Sequence, residues 1–507
     1  MKRQWKTAAA ILVASTVVLS GCGIAYNDYT NADEGIDKTV FYQNIGQIND
    51  AADPSVITVG DTYYLYGTNA MGSGDTSHIR GWKSKNLTDW QPLGAVFIPA
   101  RDAWAVNSLW APEVLEKDGT YYMYYSGYDN SRGQMGIGLA VSDSPAGPFH
   151  EIEGTFGGKE YSHTKRPFDF GFPAIDASPF IDEDGSVYLY VSKDQVRRES
   201  SIFGVELSDD MVTVTSEVSG PLVKPSQEWE NADTLPRWNE APFMLKKDGT
   251  YYLFYSANYY QNSLYAVGVA TSSSPLSGFV KSETNPVLHA SVDWPHVSGT
   301  GHCSVFPSAD GSELWMAYHS HSDVEKGGAE RKLNFDRIVF DGEELLVCGP
   351  SITPQPLPSG SSPYQNVAPL ATVTSDGAEE GVELLTDGIV NYNVFRTEEY
   401  EYFADGKTKV TFTFDKEVSV VAVMVYDSCD YEYSASSVDL KIGKGGISKL
   451  VFNEANRYED EYGFGIKIPG SAAIAQFEEI SVTEITVTLQ GDASYNEIVI
   501  LGKEVAA

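Results

Sequence analysis

The sequence predicts an all-β chain, a five-bladed β-propeller followed by an antiparallel β-sandwich. A hairpin signature recurs five times in the first two thirds of the chain, followed in four copies by a Ser-led turn, and alternating β-runs without that signature fill the last third. The 31 Tyr, 22 Phe, 9 Trp and 46 Gly suit short strands joined by tight turns.

The chain opens on an address. Lys2, Arg3 and Lys6 precede an apolar run from Thr7 to Leu19, too short to span a bilayer and flanked as a signal peptide is. The ending Leu19-Ser20-Gly21-Cys22 resembles a bacterial lipobox, which implies cleavage before Cys22 and lipid on that residue. Residues 1–22 are therefore expected to be a lipoprotein signal with its lipidated Cys22. Residues 23–46, with Asn27, Asp28, Asn31, Asp33 and Glu34, read as a flexible tether. The expected location is the extracellular face of a bacterial membrane, touched only through the anchor. With 35 basic against 70 acidic residues, a net charge of -35 excludes a phosphate backbone as partner, so no nucleic acid is expected. Cys303, Cys348 and Cys429 have no metal-type spacing and allow at most one disulfide; buried free thiols are the competing reading.

Residues 47–358 carry the repeat. Its first part is a strand, a tight turn and an aromatic strand, as in Trp110-Ala111-Pro112-Glu113-Val114 with Asp118-Gly119-Thr120-Tyr121-Tyr122-Met123-Tyr124. Asp-Gly between alternating apolar runs is a strong hairpin signal. The second part is a Ser-led turn, as in Ser142-Asp143-Ser144-Pro145 and Ser272-Ser273-Ser274-Pro275. The copies open at Asp53, Trp110, Asp176, Glu240 and His302, 57 to 66 residues apart, which is room for four short strands. A propeller brings equivalent positions of its innermost strands to one axis, so these five residues are expected to ring the mouth of one channel. Three carboxylates in one cavity repel and raise one another's pKa. Carboxylates set apart across a sugar-sized pocket suit glycoside hydrolysis, in which one acid protonates the leaving oxygen and a second carboxylate activates water or attacks carbon. That chemistry requires no cofactor, and the expected partner is a carbohydrate substrate.

The motifs Asp53-Pro54-Ser55-Val56, Trp110-Ala111-Pro112-Glu113, Asp176 with Ser178-Pro179-Phe180, Glu240-Ala241-Pro242-Phe243 and Gly301-His302-Cys303-Ser304 resemble, in order, those of glycoside hydrolase family 43. The resemblance implies that Asp53 is the general base, Glu240 the general acid and Asp176 the carboxylate that tunes and holds the acid, with inversion at the anomeric carbon. Inversion calls for a carboxyl separation of about 6.5–9.5 Å between Asp53 and Glu240. By the same resemblance His302 faces a structural calcium or a water cluster in the channel, and Arg331 contacts the sugar of the terminal subsite. A calcium would want oxygen ligands, for which one His is a poor signature. Trp110 is a candidate pocket wall, and His319 and His321 are weaker candidates. Pocket depth is expected from loops 156–172 and 226–239 and their Tyr161, Phe168, Phe170, Trp229 and Trp238.

Residues 359–365 end a Pro-, Ser- and Gly-rich stretch and read as a linker. Residues 366–507 carry runs such as Val420-Val421-Ala422-Val423-Met424-Val425 and Ile485-Thr486-Val487-Thr488-Leu489, which predict the sandwich. Asn366-Val367-Ala368, Leu385-Thr386-Asp387-Gly388 and Glu497-Ile498-Val499-Ile500-Leu501-Gly502 resemble the discoidin, or coagulation-factor type C, module, which implies carbohydrate binding; a purely structural sandwich competes. The leading expectation is a surface-anchored inverting hydrolase that releases pentose units, α-L-arabinofuranosyl or β-D-xylosyl, from plant-type polysaccharides or oligosaccharides. The competing ones are a retaining five-bladed fructan hydrolase and a catalytically silent, glycan-capturing lipoprotein.

Overall fold

The computed structural model describes residues 27–28, 37–44, 48–49, 51–69, 76–194, 199–231, 237–290, 297–324, 327–393, 396–452, 457–459, 465–467 and 471–505. The lipobox and Cys22 lie outside the described residues.

Five antiparallel four-stranded sheets follow one another along the chain, each built from consecutive strands. The blades begin on the innermost strands Ala51–Val59, Trp110–Lys117, Ala174–Ile181, Asn239–Lys247 and Gly301–Pro307. In blades 2 and 4 the turn after that strand places both Asp118 and Gly119, and both Asp248 and Gly249, at positive φ, the geometry a two-residue turn of matching twist requires and Asp-Gly tolerates. The Ser-led turn has a partner. Its fourth residue offers its carbonyl to a tyrosine hydroxyl from the second strand of the preceding blade: Tyr66 to Pro145, Tyr124 to Met211 and Tyr190 to Pro275. The two halves of the signature recur together because they are bonded to each other across blades.

Each innermost strand carries a bulge, and the same residue of each bulge has positive φ: Asp53, Ala111, Asp176, Ala241 and His302. Its backbone N–H donates to a side chain on the second strand of the preceding blade. The acceptors are His319 Nδ1 for Asp53, Thr68 Oγ1 for Ala111, Ser126 Oγ for Asp176, Ser192 Oγ for Ala241 and Ser256 Oγ for His302. This ring of bonds corrects the alignment read from sequence. Trp110 and Glu240 are not equivalent to Asp53, Asp176 and His302; they stand one residue earlier, at the position of Ala52, Ile175 and Gly301, because the turns of blades 3 and 5, over 182–186 and 308–313, are longer than the two-residue turns of blades 1, 2 and 4, which a count back from the turn does not register.

The ring of blades is clasped from outside. Phe41–Tyr42 pairs with Gln355–Pro356, the Tyr42 ring meets Trp315 edge-on at 5.7 Å, and Asn44 exchanges hydrogen bonds with the backbone of Phe335. The tether expected over 23–46 is therefore tied down in part: Val40, Phe41 and Tyr42 are buried, and Asn27–Asp28 pairs with Ala475 and Gln476. The polar residues between them masked an apolar triplet. The linker is also held, with Ser359 N–H on Glu313 and the Ser361 hydroxyl against that of Tyr63.

The C-terminal module is all-β and antiparallel. Two long strands, Thr408–Asp427 and Ala472–Leu489, pair along their length, with register breaks in between, around a core that includes Phe412, Val423, Ile485 and Ile500. It shares a second apolar cluster with the propeller, joining Phe41 and Cys348 to Val421, Met424 and Leu501. Arg396 grips Glu344 with two bonds of 2.7 and 2.9 Å across the same boundary. Cys303, Cys348 and Cys429 are buried free thiols, as one of the two readings anticipated.

Removing one link of the inter-blade ring leaves a buried N–H without its acceptor. A Ser126→Ala variant is expected to lose about 1–3 kcal/mol in urea unfolding; an unchanged midpoint would show that the bond is dispensable.

Candidate active site

The ring of bulges opens into one cavity of about 360 Å³ at the axis. Asp53, Trp110, Asp176, Glu240, His302 and Arg331, the leading site residues expected from sequence on the propeller, line it. Each blade contributes from the start of its innermost strand, and in blade 3 two successive residues at the bulge, Ile175 and Asp176, line the cavity. Arg331 comes instead from the first position of the third strand of blade 5, Arg331–Asp341.

Asp53 is almost fully buried. Arg331 Nη1 donates to its Oδ1 at 2.8 Å, and the Nδ1 atoms of His302 and His319 stand 3.4 and 3.3 Å from the same oxygen. Burial alone would raise this carboxyl, but Arg331 first and His302 after it outweigh that effect and hold Asp53 well below the usual carboxylate range. Asp176 accepts the N–H of Ala241 at 3.1 Å, the residue next to Glu240. Burial, with repulsion from Glu240 and Asp53 working against the pull of His302, pushes it up to about 7. Glu240 accepts a hydrogen bond from the Tyr265 hydroxyl at 2.9 Å. Burial first, and Asp53 and Asp194 after it, raise it to about 7, while the Tyr265 bond and Arg331 oppose the rise. One cavity thus holds an ionised carboxylate on one wall and a carboxyl that keeps its proton to near neutrality on another, the pairing that acid–base cleavage of a glycosidic bond needs.

His319 lies beneath Asp53. Burial and Arg331 push it down to about 3, so its ring is neutral and Nδ1 is free to accept the Asp53 N–H. His321 instead braces the rim: its Nε2 bonds the carbonyl of Tyr260, whose ring carries the Arg331 guanidinium at 4.7 Å. Tyr259, Tyr260, Tyr265 and Asp194 line the cavity and were not foreseen, since they follow the aromatic strands without any repeated pattern. Of the aromatics expected to set pocket depth, only Trp238 lines it. Tyr161, Phe168 and Phe170 are buried in the core between blades 2 and 3, and Trp229 stacks on Tyr255 at 6.1 Å, because their loops fold down against the blades. His302 faces Asp53, and among the described residues no group of three His, Cys, Asp or Glu side chains is placed to hold a metal ion.

Below the bulge a further carboxyl, Glu113, accepts a bond of 2.9 Å from Ser55, and burial raises it to about 8.

The family model of glycosyl hydrolases family 43 matches residues 42–344. The chain belongs to this family. A β-D-galactofuranosidase of Aspergillus niger is 28% identical over 312 residues, covering 58% of this chain and 82% of that one. Xylosidase/arabinosidase 43A of Humicola insolens is 28% identical over 279 residues, 48% of this chain and 76% of that one. The crystal structure of a thermostable family-43 glycoside hydrolase aligns with a TM-score of 0.57 at 36% identity, over 63% of this chain and 99% of that one. The family 43 propeller makes the chain a glycosidase.

Glu113, Asp176 and Glu240 all bind their protons more tightly folded than unfolded, so their contribution to stability is whole below about pH 4.5 and is lost as pH rises toward 7 to 8. Scanning calorimetry is expected to show Tm falling from pH 5 to pH 8, and a Glu113→Gln variant to flatten that fall; an equal slope in the variant would contradict a protonated Glu113.

Proposed function

We propose that this family 43 glycosidase is an inverting enzyme that releases pentosyl units, α-L-arabinofuranosyl or β-D-xylosyl, from plant-type polysaccharides or their oligosaccharides. The observation that carries the reading is the opposed protonation of Asp53 and Glu240 within one cavity. Glu240 gives its proton to the glycosidic oxygen as the bond to the anomeric carbon breaks. Asp53 takes a proton from the water that attacks that carbon from the other face. Asp176 holds the backbone beside Glu240 through Ala241 N–H. Arg331 fixes Asp53 and presents its remaining N–H groups to a sugar. A cavity of about 360 Å³ sits at the lower end of the roughly 300–1,000 Å³ of ligand pockets, in keeping with one or two sugar units. The names of the two curated relatives, a galactofuranosidase and a xylosidase/arabinosidase, support a furanosyl or pentosyl substrate.

The reading includes anchorage through lipid on Cys22 at the outer face of the membrane, supported by the basic, apolar and Leu-Ser-Gly-Cys order of the leader. It also includes capture of glycan by the second module, supported by the exposed, mutually perpendicular rings of Phe403 and Tyr433, 6.0 Å apart.

On nitrophenyl α-L-arabinofuranoside and β-D-xyloside, Asp53→Asn and Glu240→Gln are each expected to lower kcat by at least about 10²-fold; full activity in either would refute the assignment. The pH profile of kcat/KM should fall above about pH 7 as Glu240 loses its proton. Arg331→Gln should move the acidic limb to higher pH, because it removes the cation that holds Asp53 down; an unmoved limb would show that Asp53 is not the base.

A further inference from the structure

Three residues break the propeller repeat at one point. At the position where blades 1 to 4 use Thr68, Ser126, Ser192 and Ser256 to accept the next blade's N–H, blade 5 has His319. A hydroxyl would have met that hydrogen bond, so the imidazole is there for its ring. Opposite it on the innermost strand stands Gly301, where the other blades have Ala52, Trp110, Ile175 and Glu240. A Cβ at Gly301 would come within 2.1 Å of the Tyr265 ring. Into that slot Tyr265 lays its ring, parallel to His319 at 9° with centroids 5.6 Å apart, and it is buried with its hydroxyl on Glu240 Oε1. The stack therefore joins Glu240 to the imidazole that carries the Asp53 N–H.

We propose that Tyr265, seated on His319 in the space left by Gly301, is a positioning residue for Glu240, holding Oε1 so that the transferable proton resides on Oε2 and fixing this carboxyl relative to Asp53. The proposal rests on the reading of Glu240 as the acid. Burial and the nearby Glu240, Asp176 and Asp53 keep the Tyr265 phenol protonated, so its O–H is there to donate to Glu240. The other groups acting on Glu240 are Asp53 from blade 1, Asp194 from blade 3 and Arg331 from blade 5, and Asp176 of blade 3 feels its charge. Tyr265 is the neutral donor among them, and its bond favours the ionised carboxylate.

Two measurements on the full chain test this. Infrared difference spectra titrated with pH isolate the Glu240 carboxyl as the band that Glu240→Gln removes. In Tyr265→Phe, which keeps the ring and loses the hydroxyl, the midpoint of that band is expected to rise by about one pH unit, and kcat on a nitrophenyl pentoside to fall about 10–100-fold with KM changed less than about threefold. His319→Ser restores the hydroxyl of the other blades and removes the stack, and the same kcat loss is expected with the Asp53 N–H still satisfied. An unmoved Glu240 midpoint in Tyr265→Phe, or full kcat in His319→Ser, overturns the proposal. Wild-type hydrolysis that survives Glu240→Gln overturns the reading of the acid, whatever the infrared midpoint does.

Discussion

The structure depends on one backbone device, the bulge that sets a residue at positive φ near the start of every innermost strand. For Asp53, Ala111, Asp176, Ala241 and His302 this conformation is unfavourable by on the order of 1 kcal/mol each. It persists because each residue's N–H is captured by a side chain of the preceding blade, so the strain and the inter-blade bond come as a pair five times around the ring. The bulge also breaks the alternation of strand side chains, and in blade 3 both Ile175 and Asp176 line the cavity. Asp53 and Asp176 arrive from the bulged position and Trp110 and Glu240 from the one before it. Without the bulge, the acids would be divided between the axis and the blade interior.

Within the cavity, protonation follows from the nearest partner. All three acids are buried, which by itself favours the neutral form. Asp53 escapes because Arg331 bonds it directly and the His302 imidazole stands against the same oxygen. Glu240 has a neutral phenol in that place, and Asp176 a backbone N–H, so burial prevails for both. Arg331 is thus the element that makes unlike acids of similar ones, and its seat on Tyr260, braced by His321, gives the rim loop of blade 4 a share in that distinction.

Much of this was legible in the sequence, for physical reasons. Turn chemistry and strand alternation are local, so five Asp-Gly or Asp-Thr hairpins and the Ser-led turns declared the blades, and symmetry then carried Asp53, Asp176, Glu240, Trp110 and His302 to one axis. What failed was whatever depends on tertiary packing. The turns of blades 3 and 5 are longer than those of the other blades, and counting back from them put Trp110 and Glu240 one place out of line. Tyr161, Phe168, Phe170 and Trp229 look alike in sequence whether they wall a pocket or fill a core, and they fill the core. Tyr265 and Tyr260 bear on the acids from loops without a repeat, and Val40-Phe41-Tyr42 was hidden in a polar stretch although it clasps blade 5 and the second module together.

The central claim is that Asp53 activates water while Glu240 protonates the leaving group, so that no covalent sugar intermediate forms. The most direct measurement is proton NMR of the first sugar released from an aryl pentoside, recorded before the anomers equilibrate. The account predicts the anomer opposite to that of the substrate; first appearance of the same anomer would mean a carboxylate attacks carbon and would contradict it.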